Sequence, residues 1–564
     1  MYTFQSVDRE YTSWKLESID QANDIEAPHL APVDRKLLSG DILSSDYQLL
    51  SSPVRSSSSI PGVLVLSGTT YGRNSKNKIL YKCIPDNPTL PIFLIPYTLK
   101  DIGFSKKYPD RYVTFEFREW NSKHPIGSLV QNIGEVSSNE SFYEYQLHRR
   151  ELVVPRMKKT EHRRILQSLS ARPIETVVRD MQRKWDFEDR TERTIITIDP
   201  ETCRDFDDAL GIEEAEDGQT ISVYISNVSA WLEWLSEWGM VDSLPSSIYL
   251  PYRTIPMLIE FLSTNLCSLV EGRIRPVLAM DIAMRRSCPV SIEFRLAVIC
   301  VSKNYRYDDQ ELYASKCYNE LMRATTELQK EHSYISGDLD SHSLVAYYMI
   351  YMNHIVAGIL YEAKVGISRV HSGIGRDIVT DIGRVIEGYQ GGSAEYVHSG
   401  GVKDCGHGLI GKGLDHYTHI TSPIRRAVDL ANMVALQNYL GLLMYSKEAH
   451  SYVNSLTDNL IQLNSVVKRI SRVQADCKLL EMCTVNAGLL QKIYDGVVID
   501  LVYMSNRKME YTIYIEELET MLHLTLNEER ERLEQYSRHR FSMHMFKDER
   551  TLSRKIKIDL CSTE

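Results

Sequence analysis

The sequence predicts an α+β multidomain protein, with a mixed α/β body between two small β-barrels. Three observations carry that expectation. At 564 residues the chain exceeds what one hydrophobic core usually holds. Residues 61–171 and 486–564 read as short β-branched and aromatic runs broken by Gly, Asn, Pro and Asp. The stretch between them, 172–485, mixes strand-like runs with long helical patterns and holds the dense motifs.

Composition narrows the class. Hydrophobic residues make up 43% and charged residues 25%, as in ordinary soluble globular protein. The formal charge of −10 does not exclude a polyanionic partner, because such binding depends on local basic stripes and not on the total. The ten cysteines are scattered from Cys83 to Cys561 with no CxxC pair, which argues against a zinc module. Free thiols in a reducing compartment are expected, placing the protein inside the cell, in cytoplasm or nucleus. Asp8, Arg9 and Glu10 fall where a signal peptide would need an apolar core, so secretion is not expected. The apolar stretch Leu344 to Ala363 contains Asn353 and His354, which suits a buried helix, and no membrane partner is expected.

Taken in order, residues 1–60 are polar and end in the serine-rich run Ser51 to Ser59, predicting an N-terminal segment and linker. Residues 61–171 contain Val63-Leu64-Val65-Leu66 and Tyr112-Val113-Thr114-Phe115-Glu116-Phe117, predicting a small barrel of OB-like type. From His148 to Arg164 the chain carries seven Lys or Arg residues, readable as a solvated linker or as phosphate contacts beside an RNA path. Residues 486–564 contain Tyr494 to Val502 and Tyr511 to Ile515, joined by the polar turn Ser505-Asn506-Arg507-Lys508, predicting a second small barrel.

The chemistry-bearing run is Thr197-Ile198-Asp199-Pro200-Glu201-Thr202-Cys203-Arg204-Asp205-Phe206-Asp207-Asp208-Ala209-Leu210. Four carboxylates at 0, +6, +8 and +9 repel one another unless they are solvated or neutralised by cations. Ile195 to Ile198 is a β-branched strand pattern ending at Asp199-Pro200, so the first carboxylate stands where a strand gives way to a loop. The loop is long enough to bring both ends to one point, with Phe206 packed inward between Asp205 and Asp207. Hard oxygen ligands suit Mg²⁺, and two-ion sites of this kind cleave phosphodiesters. An EF-hand needs Gly at position six and Glu at twelve. Counted from Asp199 these are Arg204 and Leu210, and counted from Asp205 they are Leu210 and Glu216, so neither frame fits. A solvated acidic turn and a structural cation site remain open on the residues alone.

A second constellation is Tyr417-Thr418-His419-Ile420-Thr421-Ser422-Pro423-Ile424-Arg425-Arg426, followed by Asp429. Paired arginines behind a Ser-Pro turn offer planar donors for phosphate oxygens, or for surface acids at a helix start.

Together these two stretches resemble the RNB family of exoribonucleases, the ribonuclease II and R group that includes the exosome catalytic subunit. The family signatures are an Asp-Pro-(x)4-Asp-x-Asp-Asp-Ala run and a Tyr-x-His-Phe-Thr-Ser-Pro-Ile-Arg-Arg segment. Further matches are Val223 to Ser229, Tyr249-Leu250-Pro251, Ile255 to Leu258, Leu262-Ser263, Asn265 to Leu269, Arg275-Pro276, Asn353 and Arg369-Val370-His371. The resemblance implies an RNB catalytic domain over 172–485, a cold-shock-like OB region over 61–171 and an RNA-binding OB barrel over 486–564. It implies 3′-to-5′ hydrolysis of single-stranded RNA to nucleoside 5′-monophosphates with Mg²⁺, two ions, for which Mn²⁺ can substitute. Asp199, Asp205, Asp207 and Asp208 would carry metal and water chemistry, and Arg425 would stabilise charge on the scissile phosphate. Tyr249, Tyr307, Arg426, His419 and Ser422 would contact RNA. The RNA exosome or other RNA-decay factors are candidate partners, although 1–60 is too short for the added endonuclease domain of the exosome subunit.

The chain also departs from the pattern. Ala346-Tyr347 stand where the family has two glutamates, Ala427 replaces a tyrosine, Met433-Val434 replace a His-Arg pair, and the segment from Tyr307 to Met349 is short. These departures support the alternative of a catalytically weakened RNA-binding or assembly subunit that keeps the fold. An unrelated metal phosphoesterase is the third reading.

Overall fold

A computed structural model describes residues 1–19, 24–25, 30–99, 108–152, 167, 172–215, 218–241, 244–285, 288–335, 338–370, 394–401, 414–504, 508–518, 520–527, 532–548 and 554–561. The chain divides into two compact units. The first comprises Met1–Val153, Leu250–Tyr252 and Arg472–Glu564, and the second comprises Val154–Tyr249 and Arg253–Ser471. The boundary at Ser471 falls inside the helix Leu460–Val485 and not at the expected 485/486 junction.

In the first unit, residues 1–60 are not a linker. Strands Asp24–Ile25, Trp14–Ser18, Tyr2–Ser6, Ile42–Leu43 and Leu49–Ser51 form an antiparallel sheet in that order. Phe4, Leu16, Leu38 and Leu43 are buried in one cluster with Ile60, Phe93, Phe115 and Trp120. Its apolar residues are spaced singly among polar ones, so a one-sided sheet reads as a polar segment. The serine run is ordered for a related reason. Ser52 caps the short helix Pro53–Ser56, with proline at its first turn, and the Arg55 guanidinium lies 4.7 Å over the Phe117 ring.

The predicted front barrel is present. Strands Ile60–Leu64, Arg111–Glu119, Ile126–Glu135, Phe93–Pro96 and Ile79–Pro85 pair in sequence, and Ile79–Pro85 pairs back onto Ile60–Leu64 to close the ring. Closure leaves no exposed edge among these five. Of the basic segment, 153–164 lie outside the described residues. Arg149 bonds Asp86 and Arg150 bonds Asp476, each at 2.6 Å. The terminal sheet runs Thr520–Asn527, Lys508–Ile515, Ile493–Met504, Arg538–Lys547, Arg554–Leu560, all antiparallel. The turn residues 505–507 lie outside the described residues.

The second unit is built on a seven-stranded mixed sheet, in the order Glu188–Arg190, Cys288–Cys300, Ile274–Arg285, Gly218–Ser226, Asp208–Ala215, Ile195–Asp199, Lys303–Arg306. Both outer strands join in parallel, and the inner pairs are antiparallel. One face is covered by helices Ile174–Trp185, Val228–Leu235, Lys316–Glu331, Ser341–Ala363 and Ala427–Tyr439, whose buried faces share a single core with the sheet. By length and composition Ser341–Ala363 is apolar enough to cross a membrane. Here Leu344, Tyr348, Met352, Val356 and Leu360, four residues apart, form a buried stripe in that core. Arg190 is one of the charges buried in the sheet. It bonds both carboxylate oxygens of Asp281, at 2.8 and 2.6 Å, and Ser222 donates to the same carboxylate at 2.6 Å.

Candidate active site

The aspartate run is a strand–loop–strand turn. Strand Ile195–Asp199 pairs antiparallel with Asp208–Ala215, Ile195 opposite Gly211, so Asp199 ends one strand and Asp208 begins the next. Both ends of the loop therefore meet. Between them Phe206 is partly buried against Ile195, Ala209, Tyr224 and Leu269, the inward packing that the alternation predicts. The neighbouring turn holds the loop: Ser268 Oγ donates to Arg204 O at 2.9 Å and accepts from Phe206 N at 3.1 Å, and Leu269 N donates to Phe206 O at 3.0 Å.

The second constellation arrives at this loop from more than two hundred residues away. Ile424 N donates to Asp207 Oδ1 at 2.8 Å, and Arg425 Nε donates to Asp207 Oδ2 at 3.1 Å. Arg425 Nη2 also bonds Ser422 Oγ at 3.1 Å. Asp207 is buried at 3% exposure while the Arg425 side chain is 45% exposed, so one end of the guanidinium is anchored and the other faces solvent. The backbone of Arg425 is pinned as well, its carbonyl accepting from Ser247 N at 3.0 Å.

The remaining expected residues separate into two groups. Tyr249 reaches the site, its hydroxyl donating to Asp205 Oδ2 at 3.1 Å with its ring 40% exposed. Tyr307 lies beside the carboxylates, and its ring stacks on His342 with centroids 3.6 Å apart. By contrast, His419 is buried, with Tyr396 OH 2.8 Å from Nδ1 and Arg369 Nη1 3.4 Å from Nε2. Ser422 is buried too, its amide on Asp429 at 2.8 Å and its hydroxyl on Arg425. Arg426 Nη2 bonds Asp429 Oδ1 at 2.8 Å. These last three shape the arginine loop. His371 lies outside the described residues.

Burial dominates the electrostatics. It pushes Asp207 up to about 8, against the downward pull of Arg425 and the Ile424 amide. It also raises Asp199 and Asp208, each further raised by a neighbouring carboxylate: Asp207 for Asp199, and Asp199 for Asp208. Burial and Asp205 raise the Tyr249 phenol, keeping it a neutral donor. Among the described residues Asp199 Oδ2 is buried with no hydrogen-bond partner. A cation would satisfy that oxygen and lower all three carboxylates, so the residues fit a hard divalent ion. Among the described residues no three His, Cys, Asp or Glu side chains are already closed to ligating spacing.

Residues 187–331 match the family model described as the RNB domain. Over that stretch the chain is similar to an RNB domain.

Among curated relatives, Ribonuclease R of Mycoplasmopsis pulmonis is 39% identical over 110 residues, which cover 19% of this chain and 14% of that protein. The human exosome complex exonuclease RRP44 is 32% identical over 151 residues, covering 26% of this chain and 15% of that protein. The matched stretches thus span about a seventh of each relative's length. Among solved structures, Mycoplasma genitalium RNase R in complex with ribose methylated single-stranded RNA superposes with a TM-score of 0.69 at 16% identity, covering 99% of this chain and 100% of that one. Yeast Ssd1, a pseudonuclease, gives 0.56 at 13% identity, covering 88% and 67%. The fold is therefore an RNB domain with OB-type barrels before and after it, as the sequence predicts.

Sequence reasoning missed the supports of this RNB domain. Arg275 is buried and donates to Asn265 O at 2.7 Å and Ser268 O at 3.1 Å, bracing the turn that holds the aspartate loop. The stretches Asn265 to Leu269 and Arg275-Pro276 stand out as family matches, but their work is visible only in three dimensions. His342 carried no signal, and its contact with Tyr307 depends on where the helix Ser341–Ala363 begins.

Proposed function

We propose that this protein is a Mg²⁺-dependent 3′-to-5′ exoribonuclease that hydrolyses single-stranded RNA to nucleoside 5′-monophosphates. The observation that carries this reading is the double hold of Asp207 on Ile424 and Arg425, which joins the acidic and arginine constellations into one centre. Asp199 and Asp208 would hold Mg²⁺, and a second ion would require Asp205 or Asp207 to release its present partner. When bound, the ion supplies Lewis-acid stabilisation and activation of water. Arg425, fixed through Nε and Nη2, presents its remaining edge to the phosphate and stabilises charge that develops there. The exposed ring of Tyr249 offers a stacking surface, and stacking tolerates any base, as a general degrader requires. RNA is the partner this chemistry recognises. An RNA-decay assembly such as the exosome is a candidate on the relative's name alone, and an intracellular site on the free cysteines.

The second reading, an RNA-binding subunit with weakened catalysis, is favoured by Ala346 and Tyr347 and by the existence of this fold in a pseudonuclease. One assay separates them. With Mg²⁺ the purified protein should shorten a 5′-labelled single-stranded RNA from its 3′ end, and Asp207→Asn should do so about 10²–10³-fold more slowly. Binding without shortening would favour the second reading, and internal fragments would favour an unrelated phosphoesterase.

A further inference from the structure

On helix Ser341–Ala363, Asn353 ties the arginine segment to the helix, donating from Nδ2 to Tyr417 OH at 3.2 Å and accepting at Oδ1 from Ile420 N at 2.9 Å. The next residue, His354, stands half-buried where three segments meet. Its Nδ1 lies 2.7 Å from Tyr334 OH, and its ring meets the Tyr334 ring edge-on, 5.8 Å between centroids. His332, just past helix Lys316–Glu331, stacks on the other part of this junction: its ring lies 7° from the plane of Tyr334 and 5.4 Å from the Tyr351 ring of the long helix. His416, immediately before Tyr417, stacks on Tyr361 of the same helix, 4.2 Å between centroids and 24° between planes. Its Nδ1 is buried with no hydrogen-bond partner among the described residues. Three imidazoles on three segments therefore converge behind the arginine segment, and the proposed chemistry uses none of them.

We propose that this three-histidine junction is an acid-sensitive latch, in which protonation of His354 parts helix Ser341–Ala363 from the segments 332–334 and 414–417 and loosens the hold of Asn353 on the arginine segment. The charges around His354 give the direction. His332 and His416 both oppose a positive charge there, and Asp415 favours one but is exposed, so water screens it. Glu331 faces Tyr347 and Tyr351. Tyr334 can accept from an Nδ1–H whether the ring is neutral or charged, so it does not decide the sign. Burial first, then His332 and His416, hold His354 below the ordinary histidine value. A depressed folded-state value contributes stability that is present above the unfolded value, about 6.5, and is lost as pH falls through the folded one. Acid therefore favours the open latch. The latch needs neither RNA nor metal, so it stands or falls apart from the exonuclease reading.

The test is amide hydrogen exchange on the full chain without RNA or Mg²⁺, at pH 7.5 and 5.5, expressed as protection factors. The Ile420 amide, held by Asn353, should lose up to about tenfold in protection at pH 5.5, which lies one pH unit below the unfolded histidine value. His354→Gln keeps a polar partner for Tyr334 and does not titrate, and in that variant Ile420 protection should stay within about threefold across the same range. Unchanged Ile420 protection in the wild-type protein overturns the proposal, whether or not the variant folds. An equal loss in His354→Gln also overturns it, because another group would then be the sensor.

Discussion

Asp207 and Arg425, 218 positions apart, meet at 3.1 Å, the carboxylate buried and the guanidinium half in solvent. The pair is asymmetric by design of burial: Asp207 is fully spent on Arg425 and Ile424, whereas Nη1 of Arg425 has no partner among the described residues. On the proposed reading Asp207 would position Arg425, and Arg425 would be the group that meets substrate.

That division predicts different kinetics for the two. Arg425→Ala should lower kcat by about 10²–10³-fold, the loss typical for one preorganised donor to a developing charge. Arg425→Lys should recover little, because an ammonium cannot hold Asp207 and Ser422 while also facing phosphate. Asp207→Asn should lower kcat comparably while leaving Mg²⁺ binding in place. Single-turnover rates with Mg²⁺ titrations on each variant check this.

Metal should stabilise the fold through Asp199 and Asp208. Both carboxylates are raised by burial and by a neighbouring carboxylate, so without a cation their ionised forms oppose folding. In EDTA, Asp208→Asn should therefore melt a few degrees above wild type, whereas added Mg²⁺ should raise the wild-type Tm and leave the variant's nearly unmoved. Differential scanning calorimetry with and without Mg²⁺ reads this directly.

The brace behind the loop should matter without touching RNA. Ser268→Ala removes one donor and one acceptor at a fully buried position, at a cost of about 1–3 kcal/mol. The expected result is a folded protein with lower kcat and nearly unchanged RNA affinity. Urea melts beside kcat and Kd measurements would show it.

Acid sensitivity should come in part from Arg190 and Asp281. Burial alone would raise Asp281, but the hydrogen bonds from Arg190 and Ser222 more than reverse this and hold it below the ordinary carboxylate range. A lowered folded-state pKa contributes stability that is present above the unfolded value and lost as pH falls through the folded one. Asp281→Asn should thus be clearly destabilised at pH 7 and converge on wild type as pH falls below the ordinary carboxylate range and the wild-type carboxylate protonates. Denaturant midpoints across that range test the sign.

Much of this architecture was legible in the chain because its signals are local. The β-branched run before Asp199-Pro200 marks a strand end, and the +6, +8, +9 spacing closes a loop, both of which the structure bears out. What could not be read depends on contacts distant in sequence. His419 and Ser422 sit in a motif that suggests RNA contact, yet the fold buries them under Tyr396, Arg369 and Asp429. The first sixty residues look polar because a small one-sided sheet needs only isolated apolar residues, Phe4, Leu16 and Leu43 among them, to join a neighbour's core. His342 has no motif at all, and only the register of its helix against Tyr307 reveals it.

The most direct test of the central claim follows the last phosphodiester. Single-stranded RNA labelled at the phosphate of its 3′-terminal nucleotide is incubated with the protein in Mg²⁺ or EDTA, and the released label is identified. The account predicts nucleoside 5′-monophosphate in Mg²⁺, none in EDTA, and none from Arg425→Ala on the same timescale. Label retained in bound, full-length RNA, or released as a nucleoside 3′-phosphate, would contradict it.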